Sequence, residues 1–110
     1  MLISSALSLA LSLTAAQNMR DATTAPRNTY TACLRAFMVK SAEDKVTSAT
    51  FDTALPTQCS AQETAFREAM RRREASFRTP AGDVDQIIAD ELEDARGNIK
   101  QLFEMQTTPA

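Results

Sequence analysis

Residues 28–45 read NTYTACLRAFMVKSAEDK, and the spacing within them decides the fold. Tyr30, Cys33, Leu34, Phe37 and Met38 fall at i, i+3, i+4, i+7 and i+8, which puts all five on one face of an α-helix. Arg35 and Lys40 lie off that face. The pattern predicts a helix over about 28–45, fraying near Ser41, with Pro26 marking its start and Thr24 or Asn28 as caps.

Downstream, residues 46–58 (VTSATFDTALPTQ) lose this rhythm. Ser, Thr and Pro cluster there as in a connection. Phe51 and Leu55 are four apart, so one helical turn could tuck both under neighbouring helices. A second helix is expected from Thr57 to Arg78, with Cys59, Phe66, Met70 and Phe77 on its inner face and Ala65 and Ala69 beside them. Thr79-Pro80-Ala81-Gly82 then breaks the chain. Asp83 is expected to cap a third helix whose stripe is Val84, Ile87, Ile88, Leu92, Ala95, Ile99, Leu102 and Phe103. Gly97, inside that helix, costs about 1 kcal/mol relative to Ala and marks a place to bend or end early.

Two long helices joined by so short a turn must be antiparallel neighbours. Folding about the turn sets Phe77 near Val84, Met70 near Glu91, Phe66 near Ala95 and Cys59 near Leu102. The first helix is expected to cover the far end of this hairpin. The fold class is therefore all-α, a small antiparallel three-helix bundle made of a long hairpin plus one helix tied by a disulfide.

That tie is Cys33–Cys59. These are the only two thiols in the chain, and they fall on the apolar faces of two different predicted helices. An even number of cysteines in a small exported chain points to a bridge. Closing a loop of about 26 residues would contribute roughly 3.5 kcal/mol in the chain-entropy model. In a reducing compartment the same residues would instead be two buried thiols. Their spacing excludes a C-x-x-C redox pair.

Export is suggested by Met1 to Ala16 (MLISSALSLALSLTAA), an apolar run too short to span a bilayer but suited to a signal-peptide core. Thr14 and Ala16 fit the −3 and −1 positions of a cleavage site, which would leave Gln17 as the mature terminus. The first positive side chain is only Arg20. A secretory reading therefore needs either a start upstream of Met1 or the N-terminal amine as its charge. The alternative is an apolar N-terminal helix that stays and packs. The domain plan is a signal peptide at 1–16, a flexible segment at 17–25, the helical domain at 26–106 and a tail at 107–110. The expected location is periplasmic or secreted.

Composition narrows the chemistry. Of 110 residues, 44% are hydrophobic and 24% charged, as in a globular domain, and only two are Gly, too few for a turn-rich β fold. A net charge of −2 builds no field that would gather nucleic acid. Histidine is absent, which removes the commonest general acid–base group and metal ligand. Asp83 to Asp94 has the length of an EF-hand loop but carries Ile88 where Gly is required and Asp94 in place of Glu. Di-iron sites of the Glu-x-x-His type need the missing His. No catalytic residues, metal or cofactor are expected, and no stable membrane insertion after cleavage. The partner expected is a protein. The only basic run, Arg71, Arg72 and Arg73, is a candidate anion- or lipid-binding site. Successive helix residues point about 100° apart, which favours a solvated face over a single patch.

Two resemblances bear on location. Leu13-Thr14-Ala15-Ala16-Gln17 spells L-T-x-x-Q, a motif of small helical periplasmic stress chaperones. It occurs once and straddles the expected cleavage point, and nothing is carried over from it. Tyr30-x-x-Cys33-Leu34, Phe51, Cys59 and Phe66-x-x-Ala69 together resemble small exported helical proteins of unknown function common in Gram-negative bacteria. That resemblance implies an exported helical domain and no activity.

Overall fold

The computed structural model describes residues 22–108. The expected signal peptide at 1–16 lies outside them. Among the described residues four α-helices follow in order: α1 (Thr24–Glu43), α2 (Ser48–Ala54), α3 (Ser60–Ser76) and α4 (Ala81–Thr107), with a 3-10 turn at Leu55–Thr57 between α2 and α3. The protein is all-α, and α1, α3 and α4 are the three long rods.

The helix ends correct several expected boundaries. α1 begins at Thr24, inside the segment expected to be flexible, and Thr23 is buried. Pro26 is accommodated because the first turn of a helix has no use for its missing N–H. α1 ends in a Schellman motif: the Lys45 N–H donates to the Ala42 carbonyl at 3.1 Å and the Val46 N–H to the Ser41 carbonyl at 3.0 Å. α3 ends in the same way, with Arg78 N–H to Ala75 and Thr79 N–H to Glu74. In both motifs a cationic residue takes the left-handed position that glycine usually fills, Lys45 at φ 57° and Arg78 at φ 57°.

α3 starts at Ser60 rather than Thr57. Cys59 is therefore its N-cap, in left-handed backbone at φ 62° and ψ 40°, and not a residue on its helical face. Phe77 is the C-cap and is 46% exposed, so it does not belong to the inner face. α4 is capped by Pro80, which puts Asp83 inside the first turn, where its charge still suits the helix dipole. α4 also runs unbroken through Gly97 to Thr107, into the expected tail.

The core consists of Tyr30, Leu34 and Met38 from α1, Phe51 and Leu55 from the connection, Phe66 and Met70 from α3, and Ile88, Leu92, Ile99 and Phe103 from α4. Each side chain of Leu or Phe size removed from water contributes about 2 kcal/mol before ordering costs. α1 packs against both α3 and α4 more extensively than those two pack on each other. It runs antiparallel to α3, with Tyr30 on Phe66 and Cys33 joined to Cys59. It runs parallel to α4, from Arg27 beside Glu91 to Phe37, whose ring reaches Phe103 through Phe51. α1 thus lies along the hairpin from its turn outward, and does not merely cover the far end.

Unequal helix lengths explain the connection. α4 has 27 residues and α3 has 17. At 1.5 Å per residue, α4 outreaches its hairpin partner by about 15 Å. α2 and the 3-10 turn fill that overhang. The Phe51 ring stacks on Phe103 at 4.1 Å and on Phe37 at 5.4 Å.

Candidate functional site

Polar side chains meet along the seam between α1, α3 and α4, and they do so in two groups. Near the hairpin turn, the Arg73 side chain is only 12% exposed and lies between two carboxylates. Its Nε donates to Glu74 Oε2 at 2.7 Å and its Nη2 donates to Glu91 Oε1 at 3.0 Å. Thr79, just past the end of α3, donates its hydroxyl to Glu74 Oε1 at 3.0 Å. Arg27 approaches from α1, with Nη2 3.8 Å from Glu91 Oε2 and its guanidinium 5.5 Å above the Phe66 ring. Glu91 Oε2 is itself occluded and accepts no hydrogen bond from the described residues.

One or two turns further along, Arg96 of α4 joins Glu63 of α3 and Tyr30 of α1. Its Nη2 pairs with Glu63 Oε1, and its Nε donates to the Tyr30 hydroxyl at 3.1 Å. Glu63 also accepts from Arg67 one turn along at 3.0 Å.

Three of these side chains, Glu74, Tyr30 and Arg73, are shifted away from neutrality. The Arg73 hydrogen bond holds the Glu74 carboxyl below the ordinary carboxylate value, against burial, which would raise it. Burial raises the Tyr30 phenol, outweighing the Arg96 charge beside it. Burial opposes the charge on Arg73, but its hydrogen bonds to Glu74 and Glu91 prevail and raise its value further. A group working as an acid or base near pH 7 needs a pKa moved toward 7. Here the acid stays ionised and the phenol stays protonated, as suits fixed links within α3 and between α1 and α4.

The members of the basic run have different surroundings. Arg73 is taken by Glu74 and Glu91. Arg71 is 54% exposed and lies 3.9 Å from Asp85. Arg72 is exposed and borders a small hollow formed with Ala22, Pro26, Ala69 and Arg73. Arg71 and Arg73 thus face different carboxylates. Cys33 and Cys59 are joined, with an S–S bond of 2.07 Å and a Cα–Cα distance of 6.1 Å.

A shallow groove between α1 and α4 is lined by Arg27, Thr31, Glu91, Asp94, Ala95 and Asn98. Among the described residues, no set of three acidic or thiol side chains is arranged to hold a metal ion. None of the described helices is long and apolar enough to cross a membrane.

The seam pairs were not expected from the sequence, although a signal for two of them was present. The predicted hairpin register places Met70 opposite Glu91, and Arg73 is one turn from Met70. The same register brings Glu63 close to Arg96. No local signal points to Tyr30, which meets Arg96 across 66 residues of chain. Compared with protein-family models, with curated proteins and with solved structures, the chain gave no match.

Proposed function

We propose that this chain is an exported, non-catalytic interaction or accessory module of the cell envelope, acting in the periplasm or outside the cell. The Cys33–Cys59 disulfide carries this reading, since such bonds persist in oxidising compartments. The apolar run at 1–16 supports it from the other side. A non-catalytic role is supported by the way Arg73, Glu74, Glu63 and Arg96 are spent on links between or within helices, with the Glu74 carboxyl held below its ordinary value by the Arg73 hydrogen bond.

Crosslinking in intact cells of the native host, followed by mass spectrometry, tests the proposal. The expected result is a chain beginning at Gln17, an intact disulfide and a reproducible envelope protein crosslinked to it. A chain retaining Met1 with two titratable thiols would overturn export. Crosslinks to cytoplasmic proteins alone would overturn the envelope role.

The second reading, an anion- or lipid-binding protein using the Arg71–Arg73 run, rests on Arg71 and Arg72, because Arg73 already serves two carboxylates. It predicts salt-dependent retention on an anionic matrix that drops in Arg71→Ala/Arg72→Ala. Equal retention of the variant and the wild type would dismiss it.

A further inference from the structure

The connection between α1 and α3 is attached differently from the three long helices. Residues 46–58 lie between two non-glycine residues with left-handed backbone, Lys45 and Cys59. The side-chain hydrogen bonds of this stretch are internal: Thr47 with Thr50, Thr53 with Ala49, and Thr57 and Gln58 with Ala54. Among the described residues, no side-chain hydrogen bond or ion pair joins residues 47–58 to α1, α3 or α4. What fastens the stretch is the burial of Phe51 and Leu55, together with the bond from Cys59 to Cys33.

We infer that residues 46–58 form a redox-latched flap. With the disulfide closed, the flap covers the Phe37 and Phe103 rings. With the disulfide reduced, it swings about Lys45 and Cys59 and uncovers an aromatic surface while α1, α3 and α4 remain assembled.

Three observations carry this. The left-handed backbone of Cys59 is unfavourable for an L-residue, and the tether to Cys33 limits its escape. The long helices keep fastenings that do not involve the flap: Arg73 to Glu91, Arg96 to Glu63 and Tyr30, and the packing of Leu34, Met70 and Leu92. A segment held to its neighbours by two buried side chains and, beyond the Val46 N–H to the Ser41 carbonyl, by no side-chain polar link among the described residues belongs to the low-stability end of local opening. The chemistry of the latch is thiol–disulfide exchange with a dithiol. One thiolate of the reductant attacks a sulfur and breaks the Cys33–Cys59 bond, and its second thiol resolves the mixed disulfide. Two electrons and two protons pass to the two cysteines, and the reductant leaves as its own disulfide. The inference stands apart from the interaction reading, since it concerns only how this chain opens.

Residue-resolved hydrogen exchange on the full chain tests it, comparing the oxidised protein with protein reduced by dithiothreitol and with Cys33→Ser/Cys59→Ser. The expected result is that amides of α2 lose protection by roughly 100-fold, and at least ten times more than those around Leu92 and Ile99 in α4. An apolar dye should brighten while far-UV circular dichroism keeps its helical signal. A smaller difference between α2 and α4, whether because both are lost together or because neither changes, overturns the flap. The reduced wild type and the double variant must agree, since disagreement would trace the effect to the substitutions instead of the bond.

Discussion

At the turn end of the bundle the helices are joined by charge: Arg73 between Glu74 and Glu91, Thr79 on Glu74, and Arg27 reaching in from α1. At the opposite end they are joined by rings and sulfur: Phe37, Phe51 and Phe103 in a stack, with Cys33 bonded to Cys59. The difference follows from geometry. Near the turn, α3 and α4 run side by side, so arginine stems can lie along the apolar seam while their heads find carboxylates. Beyond the start of α3, α4 has no hairpin partner. The bare side of Phe103 there needs an apolar cover, which Phe51 supplies. One end should therefore respond to pH and salt, and the other to packing volume and redox state.

The largest effect that could break this contrast is at the stacked end. Phe51→Ala in the oxidised protein is expected to lower the unfolding free energy by about 3–5 kcal/mol, the cost of emptying a buried aromatic site. Urea unfolding at two salt concentrations measures it, and the loss should not depend on salt. A loss below about 1 kcal/mol would show that the stack is not part of the cooperative core.

At the ionic end, Arg73→Leu is expected to cost about 2 kcal/mol by removing the Arg73 hydrogen bonds to Glu74 and Glu91. The pH dependence has a definite sign. The Glu74 carboxyl is depressed in the folded state by the Arg73 hydrogen bond, so the unfolded chain binds its proton first as the pH falls. The stability from this link is complete above the ordinary carboxylate range and is lost as pH falls through the folded value. Urea titrations from about pH 7 down to about pH 3 should show that loss in the wild type and in Phe51→Ala, and a shallower one in Arg73→Leu. Equal slopes in all three would separate Glu74 from the acid response.

Tyr30→Phe keeps the ring on Phe66 and removes only the acceptor for Arg96, 3.1 Å away. Thermal unfolding should report a loss of about 1 kcal/mol, smaller than either change above, because this hydroxyl lies between the two ends and belongs to neither fastening. Gly97→Ala sharpens the comparison as a neutral reference. A Cβ there meets nothing within 4 Å, so the helix should gain up to about 1 kcal/mol with the pH slope and the redox response unchanged.

Much of this was legible in residue spacing. The core members Tyr30, Leu34, Met38, Phe66, Met70, Ile88, Leu92, Ile99 and Phe103 all sit on the faces that periodicity marks, and Phe51 and Leu55 are tucked in as the four-residue spacing suggested. Phe77 obeyed the same spacing and is nevertheless exposed, because α3 ends one residue before it and a helical face exists only while the helix lasts. Cys59 was assigned to a helical face for the same reason and lies just ahead of the helix. Arg73 looked like one member of a basic run, since adjacency in sequence says nothing about which carboxylate a neighbouring helix will present.

The sequence by itself determined the helical class, the buried faces, the antiparallel hairpin and, with only two thiols present, the pairing of Cys33 with Cys59 once they oxidise. These depend on spacing of a few residues, on a breaker at Thr79 to Gly82, or on elimination. Only the tertiary structure decided that α1 lies along the whole hairpin, that Arg96 meets Tyr30, that Cys59 takes left-handed backbone and that residues 46–58 cover the overhang of α4. Those outcomes depend on the relative lengths and docking of rods far apart in the chain, which no local pattern encodes.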